Sequence, residues 1–131
     1  MKARIQTKIA PTALLYNLEN MRSNDVAQIC ADAGVQPLRL DTMSAVYSVG
    51  YLCGYKGFSG DIMQCEIPQS EAIVFSGVDN QTMNTILGRL HESKNTVDLK
   101  CVVTDTNKAW ALGALVAELE KEHNTMHGIK S

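Results

Sequence analysis

Long apolar runs are missing from this chain. No stretch approaches the roughly 18 consecutive apolar residues that a membrane span requires, so no membrane association is expected. An excess of charge of one sign is missing too. With 12 basic against 14 acidic residues there is no broad field to draw nucleic acid or anionic lipid. No C-x-x-C pair exists among Cys30, Cys53, Cys65 and Cys101, which lie far apart. Such cysteines read as reduced, small core residues, with a disulfide or a shared metal as the competing reading. Neither Gly-x-x-x-x-Gly-Lys nor Gly-x-Gly-x-x-Gly occurs, which argues against a nucleotide cradle, and no cofactor is expected. The apolar run after Lys2, Arg4 and Lys8 is short and broken by Pro11, unlike a secretory core segment. The expected location is cytoplasmic.

What is present suits one globular α/β domain. The 131 residues are 45% hydrophobic and 20% charged, enough to bury a real core without staples. Thr12 to Tyr16 reads as a buried strand ending in Asn17. Glu19 to Asn24 then reads as a polar connector with Ser23 and Asn24 as caps. Val26, Ile29, Cys30 and Ala33 form the apolar face of a first helix closed by Gly34. Val35 to Leu40 gives a second strand. A second helix, capped by Asp41 to Ser44, would bury Val46, Val49, Gly50 and Cys53 before Gly54.

Three glycines between Gly54 and Gly60 mark a loop. Met63, Cys65 and Ile67 alternate with polar residues, predicting a half-exposed strand turned back at Pro68-Gln69-Ser70 onto Ala72 to Phe75. A third helix follows with Met83, Ile86, Leu87 and Leu90 on one face. Leu99 to Val103 is the last strand. From Ala109 the residues Ala109, Leu112, Leu115, Val116 and Leu119 predict a long final helix carrying Trp110 in its first turn.

The order strand, helix, strand, helix thus occurs twice. The expected architecture is a single domain in which two βαβα halves form one mixed, mostly parallel sheet of four or five strands with four helices. Residues 1–10 read as a flexible arm, 12–54 as the first half and 55–70 as a loop with an edge strand. Residues 71–123 are the second half and 124–131 a frayed tail. Ala13 to Asn17 echoes Ala72 to Ser76, and Leu40-Asp41-Thr42 echoes Thr104-Asp105-Thr106, so a duplication is one reading and a common α/β pattern the other.

Thr104, Asn107 and Trp110, with Glu122 and His123 at the end of the last helix, form a Thr-x-x-Asn-x-x-Trp turn after an apolar strand. On these residues the chain resembles an uncharacterised family of small bacterial proteins catalogued as a domain of unknown function. The likeness covers roughly residues 71–123. It implies a C-terminal α/β unit and no particular activity.

The strand-to-helix turn Thr104, Asp105, Thr106, Asn107 and Lys108 is the leading candidate site. A helix N-terminus there would offer free N–H groups to a small anionic ligand, and Lys108 would gain from one. The plainer reading makes these residues caps and a solvated lysine. Ligands of open α/β sheets favour strand carboxyl ends, which would gather Asn17, Ser76, Gly77, Asp79, Asp41 and Asp105. Tyr47, Tyr51 and Tyr55, spaced by four, would line the second helix and, with Trp110, suit a homodimer or partner surface. They would equally serve to cover the core edge. His123 and His127, with Glu122, could share a metal only if the helix ran on that far, and His91 reads as solvated. No Cys/His or Ser/His grouping signals covalent catalysis. Two functional readings follow. One is a non-catalytic small-ligand or protein-interaction module. The other is a small enzyme acting on an anionic metabolite at the strand-to-helix turns.

Overall fold

The computed structural model describes residues 10–128, with side chains through Thr125. The arm assigned to residues 1–10 lies outside the described residues apart from Ala10, as do residues 129–131 of the tail. Strands β1 (Thr12–Tyr16), β2 (Gln36–Leu40), β3 (Ala72–Ser76) and β4 (Leu99–Val102) alternate with helices α1 (Asn20–Asp32), α2 (Val49–Cys53), α3 (Asn80–Glu92) and α4 (Leu112–Gly128). Short 3-10 turns at Thr42–Val46 and Asn107–Ala109 precede α2 and α4. One sheet runs β2-β1-β3-β4. Its outer pairs are parallel and its central β1–β3 pair is antiparallel, so the sheet is mixed and mostly parallel, as expected.

Every residue of β1 and β3 is buried, because helices cover both faces of the central strands. On one face α1 and α3 place Val26, Cys30, Ile86 and Leu90 against Ala13, Leu15, Ile73 and Phe75. On the other, α2 and α4 place Val49, Cys53, Leu112, Leu115 and Val116 against Leu14, Tyr16, Ala72 and Val74. Alternation along each strand sends neighbours to opposite layers, so both layers draw on the same two strands.

The halves repeat residue by residue. Strand β1 recurs sixty positions on as β3, and α1 as α3. Asn17 and Gly77 both have positive φ, as do Gly34 and Lys94, again sixty apart. Glu19 caps α1 by accepting from Arg22 N–H, and Asp79 caps α3 by accepting from Thr82 N–H. From β2 and β4 onward the offset becomes sixty-three. The Tyr47 N–H donates to Ser44 and the Trp110 N–H to Asn107, each closing a 3-10 turn. In the β1–β3 register Leu14 faces Val74, its own counterpart. A second, isolated antiparallel bridge joins Ser48 to Ala111, also counterparts. These two pairs define a pseudo-two-fold axis through the molecule. Reciprocal bonds flank the second pair: Val49 N–H to Trp110 O and Leu112 N–H to Tyr47 O, both 2.9 Å.

Several expectations need correction. The first helix begins at Asn20 under Glu19, so Ser23 and Asn24 lie inside it and Ser23 is buried. The helix expected after Asp41 is a 3-10 turn and a five-residue α-helix, divided at the extended residues Tyr47 and Ser48. Trp110 is likewise extended and precedes α4, which starts at Leu112. In both cases the inter-half bridge claims backbone that a local pattern would assign to a helix. Residues Met63 to Ile67 form no strand. That crossover is held instead by Met63 N–H to Val46 O, by Cys65 Sγ to Ala45 O and by Tyr16 OH to Pro68 O at 2.7 Å. Of the tail assigned to residues 124–131, the described part lies in α4 as far as Gly128.

Candidate functional site

The turn that follows β4 is closed on itself. Asn107 accepts from Thr104 N–H through Oδ1 at 2.8 Å and donates from Nδ2 to Val102 O at 3.1 Å, while Thr104 Oγ1 accepts from Asn107 N–H. Lys108 N–H donates to Thr104 O, and its ammonium lies 3.4 Å from Asp105 and 5.1 Å from the centroid of the Tyr55 ring. The 3-10 turn is three residues long, Thr106 makes no side-chain cap, and the Leu112 N–H at the start of α4 goes to Tyr47 O. The helix N-terminus expected to greet an anion at Thr104–Lys108 therefore does not form there.

The expected gathering at the strand carboxyl ends is divided by the antiparallel centre of the sheet. Thr12 pairs with Ser76 and Tyr16 with Ala72, which puts Asn17 at one end of the sheet and Ser76 and Gly77 at the other. Asn17 joins Asp41, Arg39, Ser23 and Asn24 around a hollow of about 600 Å³. Ser76 bonds the Tyr55 hydroxyl at 3.0 Å, on the side of the sheet where Thr104 lies. Asp79 is occupied as a helix cap, and the Thr82 N–H it accepts holds its carboxyl below the usual range. Tyr47, Tyr51 and Tyr55 do not form a helical stripe, since only Tyr51 lies in α2. The Tyr47 and Tyr51 rings contact at 5.6 Å, and Tyr51 also lies over Gly60, where an added Cβ would meet its ring at 2.9 Å. Part of the tyrosine surface is thus spent on the crossover.

Two places were not legible from residue types alone. The larger is a polar cavity of about 670 Å³ beside the start of β3 and β4, with Arg22, Glu71, Lys94, Asp98, Glu120 and His123 among its walls. Arg22 pairs with Glu71 there and donates to Thr96 O. The second is a more apolar groove of about 570 Å³ between β4 and α4, walled by Cys101, Val102, Trp110, Leu115 and Leu119 and edged by Glu118 and Glu122. Val102 is 44% and Trp110 37% exposed. Val103 N–H donates to Phe75 O, so alternation turns the N–H and C=O groups of Lys100 and Val102 away from β3. Among the described residues no strand pairs with that side. Recognising the groove from sequence requires knowing that β4 is an edge strand, which its apolar composition conceals.

Three of the four cysteines are not poised as nucleophiles. Burial pushes the Cys30, Cys53 and Cys101 thiols up to about 11, leaving them protonated near neutral pH. Desolvation, followed by the Cys65, Glu120 and Asp41 charges, lifts the Tyr16 hydroxyl to about 12. Among the described residues no three His, Cys, Asp or Glu side chains converge as a metal set; the His127 side chain lies outside them. No helix among them is long and apolar enough to cross a membrane.

Residues 71–126 match the family model described as Domain of unknown function (DUF3783). That span runs from just before β3 nearly to the end of α4, and so covers the second half of the fold. No curated protein and no solved structure matches the chain.

Proposed function

We propose that this protein is a non-catalytic interaction module that takes up an extended segment of a partner protein along β4. The observation that carries this reading is an edge strand on which the outward N–H and C=O of Lys100 and the N–H of Val102 pair with no other described strand, beside an apolar groove. A segment added there would gain main-chain bonds from the N–H and C=O of Lys100 and the N–H of Val102, and seat alternate side chains against Trp110, Leu115 and Leu119. Trp110 is the residue type most often found to dominate such contacts. Glu118 and Glu122 on the rim favour a segment carrying lysine or arginine beside its apolar residues. Asn107 marks where pairing stops, because its side chain already satisfies Val102 O and Thr104 N–H.

The alternative, a small enzyme acting on an anionic metabolite at the strand-to-helix turns, has less support. The turn's side chains are engaged with one another, and burial holds the Cys30, Cys53 and Cys101 thiols protonated near neutral pH. A homodimer through Tyr51 competes with the crossover for the same ring.

Val102→Pro tests the proposal, since the proline removes an outward N–H while keeping an apolar side chain at the groove wall and leaving the bonds to β3 in place. Peptides selected from a random display library on the wild-type chain should include apolar-basic segments. Their affinity should fall about tenfold or more in Val102→Pro and in Trp110→Ala, an effect of about 1.4 kcal/mol. Selection of no peptide, or equal binding by Val102→Pro, would refute it.

A further inference from the structure

The family match stops at the second half, yet the first half repeats the same order of elements. β1, α1, the cap of α1 and the positive-φ positions Asn17 and Gly34 recur sixty residues on, and β2, the end of the 3-10 turn, the bridge residue and the start of α2 recur sixty-three residues on. Gly50 and Gly113 are counterparts too, each in the first turn of its helix and each with something pressed against it: the Phe58 ring on one, Glu66 O on the other. The contact between the halves is isologous. Leu14 meets Val74 and Ser48 meets Ala111, and every bond from one half to the other across that bridge is answered by its mirror. Such a surface is what two copies of one unit use when they dimerise about a two-fold axis.

We propose that residues 10–54 are a second, diverged copy of the unit recognised at 71–126, and that the face between the halves accepts the complementary half of another copy of this chain. Nothing in this depends on what binds β4. In the intact protein the crossover from Gly54 to Glu71 keeps the two halves at high effective concentration, so they close on each other within one chain. When one half of a chain is disabled, its sound half should pair with the sound opposite half of a second chain.

Complementation between two full-length variants tests this. Leu14→Pro disables β1 and Val74→Pro disables β3, both central strands in which proline removes a ladder bond. Alone, neither should give a cooperative thermal transition. Refolded as an equimolar mixture they should regain one and scatter light as a one-to-one pair. Adding Ala111→Cys to the first variant and Ser48→Cys to the second places the new thiols on the two sound halves. Oxidation should then give an interchain cross-link at least tenfold above the same mixture without the added cysteines. A mixture that behaves as the sum of its parts overturns the proposal. If either variant folds alone, the cross-link still decides, and its absence overturns the proposal equally.

Discussion

Pro37 and Lys100 occupy the same place in the two halves, and so do Arg39 and Val102, since Ala13 and Leu15 align with the first of each pair as Ile73 and Phe75 do with the second. The four residues face outward from the two edges of the sheet. On β2 the outward positions carry a proline, which has no N–H to offer, and an arginine bound to Asn24. Both devices discourage a further strand. On β4 the same positions carry a lysine whose ammonium folds back to Val97 O and a valine left 44% exposed. One architecture has therefore been finished in two ways, closed on one side and open on the other. The halves thus differ at their rims while their shared centre is matched.

The comparison can be strained hardest at the paired glycines. A Cβ at Gly113 would come within 2.3 Å of Glu66 O, a backbone atom, whereas at Gly50 it would meet the Phe58 ring, a side chain that can move. Gly113→Ala should cost about 3 kcal/mol and Gly50→Ala about 1 kcal/mol in urea unfolding, the range of overpacked sites. Equal costs would mean that the crossover is no firmer over the second half than over the first.

Alkaline titration strains both halves at once. Burial raises the Cys30 and Cys53 thiols of the first half and the Cys101 thiol of the second from 9.0 to about 11. Because the folded values lie above the unfolded one, the stabilisation is fully present below about pH 9 and is lost as pH rises through 11. Thermal melts between those limits should show falling stability. The fall should be smaller in Cys30→Ala or Cys101→Ala, each of which removes one titrating group.

The smallest effect belongs to Gly34 and Lys94, which share a left-handed backbone with φ of 83° and 63°. Lys94→Gly should stabilise the protein by about 0.5 kcal/mol, the relief at φ being partly offset by glycine's freedom in the unfolded chain. Gly34→Ala should destabilise by about 1 kcal/mol. Thermal unfolding of both variants checks the pair, and effects of the same sign would deny that the two turns are equivalent.

Much of this was legible in the sequence where the forces are local. The four strands, the apolar faces of α1, α3 and α4 and the repeat of a βαβα order all follow from periodicity and caps. The apolar spacing of Val46, Val49 and Cys53 suited a continuous helix, but Tyr47 O accepts from Leu112 N–H and Val49 N–H donates to Trp110 O, bridging Ser48 to Ala111, sixty-three residues away. No local pattern announces such a bond. The candidate site was half legible for a related reason. Thr104 to Lys108 were placed on one turn correctly, and Asn107 bonds that turn as its plainer reading required. That β1 and β3 run in opposite directions decides that Asn17 and Ser76 never meet, and strand direction leaves no trace in residue types.

The Ser48–Ala111 bridge joins the two halves on the α2/α4 side of the sheet, while the Leu14–Val74 pair joins them within it. Neither unit can therefore melt and leave its neighbour's backbone satisfied: loss of one strips the other of a strand partner and of the amide acceptor at the head of its helix. The protein should unzip in a single event, with amide exchange at Val49 and Leu112 reporting the same opening free energy as exchange in the central strands.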